Sequence, residues 1–203
     1  TGISDIVFDP KNPDVIYAAA QQRMRHVFTY IGGGPGSGIH KSTDGGKTWK
    51  KLKSGLPSGD VGRIGLAVSP VNTDYVYAIV EASDKKGGFF RSTDRGASWS
   101  KMSGYTTSGN YYQEIYCDLK DVNKVFSMNT WLHHTEDGGK TFKRTGEKSK
   151  HVDNHAMWID PDDTNHWLLG CDGGIYETWD HAKNWQFKPN LPITQFYKLA
   201  IDN

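Results

Sequence analysis

The stretch STDGGKTW, residues 42–49, returns three more times at a nearly fixed interval. STDRGASW spans 92–99, TEDGGKTF spans 135–142 and TWDHAKNW spans 178–185, so the aspartates Asp44, Asp94, Asp137 and Asp180 stand 50, 43 and 43 residues apart. A catalytic loop occurs once in a chain, whereas a device that builds the fold recurs with it. Intervals of this size are those of propeller blades and other repeat arrays.

Each interval carries the same order of signals. An apolar strand ending in Asp or Ser comes first (ISDIVFDP, RIGLAVSP, QEIYCDL, HAMWIDP), followed by an Asn-, Asp- and Pro-rich turn of the kind that reverses an antiparallel pair. A second strand (DVIYAAA, DYVYAIV, NKVFSMN, NHWLLGC) and a third (SGIHKST, GGFFRST, TWLHHTE, GGIYETW) lead through the Asp-containing turn into a short fourth (TWKKL, SWSKM, TFKRT, NWQFK). The pattern predicts an all-β propeller of four-stranded antiparallel blades, at about residues 1–54, 61–103, 110–146 and 153–189. Residues 190–203 read as the start of a fifth. The chain is therefore expected to be a four-blade arc of a larger ring, completed by the remaining blades of a parent protein or by another copy. Lysines and an arginine on the fourth strands (Lys50, Lys51, Lys101, Lys143, Arg144, Lys188) suit exposed edges that must not pair with other chains.

Composition narrows the partners. A formal net charge of +1 gives no field for nucleic acid, and no apolar run is long enough to span a membrane. No cofactor fingerprint is present. The 23 glycines with 7 Trp, 10 Tyr and 8 Phe suit short strands and tight turns. Cys117 and Cys171 fall in predicted strands, as structural thiols or as a disulfide.

The pattern Ser-x-Asp-x-Gly-x-x-Trp resembles the Asp-box, or bacterial neuraminidase repeat, of sialidases, sortilins and two-propeller xyloglucanases. The chain as a whole resembles secreted bacterial proteins that join a sortilin-type propeller to a glycosyl hydrolase repeat label. The resemblance implies a secreted or cell-envelope protein whose boxes lie on the blade periphery. It gives structural roles to Asp44, Trp49, Asp94, Trp99, Asp137, Phe142, Asp180 and Trp185. A calcium loop is the competing use of such a turn, and each box offers too few oxygen ligands for one. The third box has Phe142 where the first two have Trp, and the fourth has Ala182 where they have Gly.

Chemistry is expected where the blades differ. Aligning the inner strands puts Arg63, Tyr112, Asn154 and Phe196 at one leading position, Gln113, His155 and Tyr197 next, and Asp5 and Glu114 after them. With Arg25, His26, Asp172 and Gln195, the residues Arg63, Tyr112, Gln113, His155 and Tyr197 form the predicted ligand-binding set, for a polysaccharide or a peptide. Glu114 and Asp153 are the candidate catalytic carboxyls if the chain hydrolyses glycosides, a reaction that usually needs two carboxyl groups flanking the bond. His151, Asp153 and His155 alternate, which on an extended strand would put all three on one side, either as metal ligands or as a histidine–carboxylate hydrogen-bonded group. The Gly-rich insertion QQRMRHVFTYIGGGPGSG, 21–38, offers Arg23, Arg25, His26 and Tyr30 for a carboxylate or a sugar ring, and lacks the features of a phosphate loop. The resemblance supports both a sortilin-like binding module and a xyloglucanase-like hydrolase.

Overall fold

The computed structural model describes residues 1–189, which form strands and turns with no helix among them. In chain order, β1 (Gly2–Asp9) and β2 (Asn12–Gln21) lead through a separate hairpin, β3 (Met24–His26) and β4 (Thr29–Ile31), to β5 (Gly38–Ser42) and β6 (Lys50–Lys51). Strands β1, β2, β5 and β6 make one antiparallel sheet in that order. The second sheet contains β7 (Val61–Val68), β8 (Val76–Ala82), β9 (Gly88–Ser92) and β10 (Ser100–Ser103). The third contains β11 (Ile115–Cys117), β12 (Val125–Ser127), β13 (His133–Thr135) and β14 (Lys143–Arg144). The fourth contains β15 (Asn154–Ile159), β16 (Trp167–Cys171), β17 (Gly174–Thr178) and β18 (Gln186–Phe187). Each is a simple meander, the all-β propeller architecture that the repeat predicts.

Three cores lie between successive sheets, and the two-residue period of the strands builds them. On β8, Val76, Ala78 and Val80 pack with Val15, Tyr17 and Ala19 of the first sheet, while Tyr77 and Ile79 pack with Ile115 and Val125 of the third. A strand that serves two cores must be apolar at every position, as YVYAIV is. On β12, Val125 joins the second core and Phe126 joins the third, with Met157, Ile159, Trp167 and Leu169 of the fourth sheet. Fully burying side chains such as Phe126 or Leu169 contributes about 1.5–3 kcal/mol each. Cys117 and Cys171 are both free thiols, and burial raises the pKa of each.

The four Asp-containing turns are built alike. In the first, Ser42 Oγ donates to Asp44 Oδ1 (2.7 Å) and accepts from the Gly46 amide (2.9 Å). Asp44 accepts in turn from the Thr48 amide (2.9 Å) and hydroxyl (2.6 Å). The same bonds are made by Ser92, Asp94, Gly96 and Ser98 and by Thr135, Asp137, Gly139 and Thr141, and in the fourth turn by Thr178, Asp180, Ala182 and Asn184, whose side-chain N–H donates in place of the hydroxyl. Gly46, Gly96 and Gly139 hold φ of 87°, 80° and 97°, and Ala182 takes the equivalent place at 67°. The aromatic ring that follows differs in its partner. Trp49 and Trp99 return their indole N–H to the Gly46 and Gly96 carbonyls, Phe142 stacks on Tyr105 at 3.8 Å, and the Trp185 indole donates to the Gly146 carbonyl (2.9 Å).

Tertiary packing supplies a second reason for glycine in these turns. Gly96 sits against Tyr17 and Leu52 of the first sheet, and a Cβ on Gly139 would collide with the Phe89 ring of the second. The second and third turns are thus each wedged against the sheet before them, and the Tyr17 hydroxyl donates across the first of these seams to the Arg95 carbonyl (2.9 Å).

These carboxylates make the fold acid-sensitive. Hydrogen bonds from Thr48, first the hydroxyl and then the amide, lower the Asp44 carboxyl from 3.8 to about 2, and the equivalent bonds of Ser98 and Asn184 lower Asp94 and Asp180. The folded chain therefore binds fewer protons than the unfolded chain across that interval. The contribution is present above about pH 4 and is lost as pH falls towards about 2. Asp94→Asn should flatten the acid limb of a plot of melting temperature against pH, and an unchanged limb would show that the turn carboxylates do not set it.

Candidate functional site

The leading strands abut through one close approach of backbone to backbone and one hydrogen bond from backbone to carboxylate. Gly65 on β7 lies against the Gln113 carbonyl of the third sheet, where a Cβ would collide with it, and the Leu66 amide donates to Asp5 Oδ2 of β1 (2.8 Å). Sheets brought this close place Arg63 beside Glu114, and the two form an ion pair. Burial raises the Glu114 carboxyl above its ordinary value; Arg63 and His155 offset that effect and Asp5 adds to it. One ionisable side chain from each of the four blades thus contributes to a single group around Glu114. Glu114 Oε2 is buried and makes no hydrogen bond.

A second cluster joins the third and fourth sheets. The Tyr112 hydroxyl donates to Asp153 Oδ1 (2.5 Å), and its ring stacks on His155 at 5.4 Å with 16° between the planes. His155 Nε2 lies 3.0 Å from Asp172 Oδ1. Burial, then the hydrogen bond to Asp153, raises the Tyr112 phenol, so it stays protonated as the donor. Beneath this cluster lies a buried ion pair. Lys150 Nζ donates to Glu147 Oε1 (2.9 Å), Asn154 Oδ1 (2.6 Å) and the His151 carbonyl (2.6 Å), while Glu147 Oε2 accepts from the Leu132 amide (3.0 Å). A Glu-x-x-Lys spacing in the run GEKSKH gives by itself no sign in the sequence that the pair is buried.

A third feature opens at one end of the first sheet. A cleft of about 480 Å³ is lined by Gly2, Ile3, Ser4, Gln21, Arg23, Arg25, Arg63, Gly109 and Asn110. Its volume falls within the range of about 300–1,000 Å³ common for ligand pockets.

The structure brings Arg63, Glu114, Tyr112, Asp153, His155 and Asp172 together around the leading strands and places Arg25 with Arg63 in the cleft. It separates others. Gln113 does not face outward: at φ 97° it turns inward and is buried, its amide donating to the Arg63 carbonyl and accepting from the Thr107 hydroxyl. The same reversal shortens the predicted strand QEIYCDL to Ile115–Cys117. Asn154 is buried in the Lys150 network. His151, Asp153 and His155 do not share one side, because β15 begins only at Asn154 and Asp153 has φ 64°. The His151 ring lies 2.8 Å from the Val152 carbonyl. No group of three or more His, Cys, Asp or Glu side chains among the described residues is placed to hold a metal ion. His26 lies on the exposed hairpin, and Gln195 and Tyr197 lie outside the described residues. The Trp131 ring is covered on one face by the Arg144 guanidinium at 3.7 Å.

No family model matches the chain, and no curated protein matches it in sequence. Solved structures do match in fold. An ancestral GH74 enzyme superposes with a TM-score of 0.64 at 18% identity, over 93% of this chain and 24% of that one. The GH74 xyloglucanase from Xanthomonas campestris gives 0.62 at 15%, over 94% and 31%. YCF48 bound to D1 peptide gives 0.51 at 13%, over 91% and 81%. The chain spans about a quarter to a third of the two GH74 enzymes. No helix among the described residues is long and apolar enough to cross a membrane. At these identities the likeness establishes architecture, and the chain has a β-propeller fold.

Proposed function

We propose that this chain is a ligand-binding module of a secreted or cell-envelope Asp-box propeller protein, sortilin-like in kind, that takes a peptide or glycan at the rim of its leading strands. The observation that carries this reading is the convergence of Arg63, Glu114, Tyr112, Asp153, His155 and Asp172 from three sheets with their carboxylates already held by partners. Such a rim is preorganised and unequal from blade to blade, as an asymmetric site on a repetitive scaffold must be. The fold relatives include one structure that holds a peptide and one that is a xyloglucanase, so both ligand classes suit this architecture.

A glycoside hydrolase of the xyloglucanase kind is the second reading, with Glu114 as acid and Asp153 as its partner. The raised Glu114 carboxyl favours it. Against it, Glu114 Oε2 is sealed from solvent and Oε1 is paired with Arg63, so neither oxygen is presented to a glycosidic bond.

A panel of peptides and polysaccharides, tested for binding and for release of reducing sugar, separates the two readings. Binding without release is expected, with His155→Ala weakening it by about tenfold, the loss of one central contact worth about 1.4 kcal/mol. Sugar release that disappears in Glu114→Gln or Asp153→Asn would establish the hydrolase instead.

A further inference from the structure

The cleft at the end of the first sheet has a one-sided chemistry. Its lining holds three arginines, Arg23, Arg25 and Arg63, and the two carboxylates next to it, Glu81 and Glu114, are both engaged by Arg63, through its amide and its guanidinium. Arg63 is paired with Glu114, but among the described residues neither Arg23 nor Arg25 has an ion-pair partner, although both are exposed. Two unpaired guanidiniums held near a third are stable in water only through solvation, and a ligand carboxylate that replaces that water gains paired, charge-assisted hydrogen bonds.

The backbone that carries two of these arginines is also anchored. The hairpin β3–β4 that carries Arg25 is tied down at its base, where Gln21 Nε2 donates to the Gly32 carbonyl (2.9 Å) and the Gly36 amide donates to Gln22 Oε1 (2.9 Å). The Arg23 guanidinium lies over the Tyr30 ring at 5.7 Å. Behind the lining, Glu81 Oε2 accepts the Arg63 amide (3.2 Å), which fixes the backbone of Arg63, and a Cβ on Gly62 or Gly109 would collide with that carboxylate. At the hairpin tip, Val27 and Phe28 are 90% and 96% exposed. Side chains so exposed gain from covering by an apolar part of a ligand.

From this arrangement we infer that the cleft binds an acidic peptide segment, its carboxylates on Arg23, Arg25 and Arg63 and its backbone alongside the β3–β4 hairpin, whose tip takes an apolar side chain of the ligand. The inference rests on the binding-module reading above and names its ligand class. A peptide fits better than an acidic polysaccharide because its backbone can pair with the hairpin edge, whereas no aromatic ring lines the cleft to stack on a sugar. The hairpin is a two-stranded sheet, exposed at every residue, and an extended peptide can add to such an edge.

The test uses fluorescently labelled oligoglutamate, with a neutral Gly-Ser peptide and polygalacturonate as companion probes, measured by anisotropy on the chain. Oligoglutamate is expected to bind, to weaken as salt is raised, and to lose about tenfold or more in affinity in the Arg23→Ala/Arg25→Ala double variant. The Arg23→Lys/Arg25→Lys variant should recover part of the loss. Both positions are exposed, so an unchanged melting temperature checks the fold. Equal binding of the neutral peptide, or an affinity untouched by the double variant, overturns the acidic-peptide inference while leaving a binding module intact. Polygalacturonate binding without oligoglutamate binding overturns it in favour of an acidic glycan. Failure of the whole peptide and polysaccharide panel, in the separate experiment above, would remove the binding-module reading itself.

Discussion

Replacing Lys150 by methionine should cost about 3–5 kcal/mol of folding stability, because the change strands a buried carboxylate. The Lys150 side chain is wholly buried and that of Glu147 is 3% exposed, so Glu147 would lose its cation while water remains excluded. Urea unfolding monitored by tryptophan fluorescence measures the loss, and a shift below about 1 kcal/mol would mean that water reaches the pair. The double variant Lys150→Met/Glu147→Gln should recover part of the loss. Only one of the two donors, Leu132 N or Asn154 Nδ2, can still bond the single amide oxygen that Glu147→Gln leaves, so recovery is partial, but the amide needs no counter-charge. The consequence reaches the rim. Lys150 braces the segment that carries Asp153 and His155, so Lys150→Met should also weaken the Tyr112 hydrogen bond and any ligand that depends on it.

A second large effect is expected at Gly65. Its φ is unremarkable, so alanine is conformationally acceptable, and the obstacle is the Gln113 carbonyl that a Cβ would strike. A backbone carbonyl has no alternative rotamer, so the second and third sheets must part, and Gly65→Ala should cost about 3 kcal/mol. The same displacement carries Glu114 away from Arg63. Stability and ligand affinity should therefore fall together, whereas an ordinary core defect lowers stability alone. A Gly65→Ala chain with unchanged unfolding midpoint would show that the sheets yield freely at this seam.

Much of the architecture is legible because its signals are local. The bonds from Asp44 to Thr48 and from Ser42 to Gly46 close within four residues and repeat in every sheet, so an eight-residue window contains the whole turn. The continuous apolar run on β8 likewise announces a strand with a core on each face. The rim is less legible. Its candidate residues are visible as unequal positions on equivalent strands, but Arg63 meets Glu114 across 51 residues and Tyr112 meets Asp153 across 41. Gln113 and Asn154 mislead because an alignment of strands assumes extended backbone, and a positive φ at Gln113 and at Asp153 breaks that assumption beside each. The Glu147–Lys150 pair is invisible for a related reason: charge is read from sequence, but exclusion of water is not.

Repetition in the chain dictates the four-stranded sheets and their corners, since each corner satisfies its own backbone through side chains a few positions away. The pairing of charges at the rim, the arginines gathered in one cleft and the buried lysine arise only when separate sheets are pressed together. There the distance between chain-remote groups, and the water squeezed from between them, sets their chemistry.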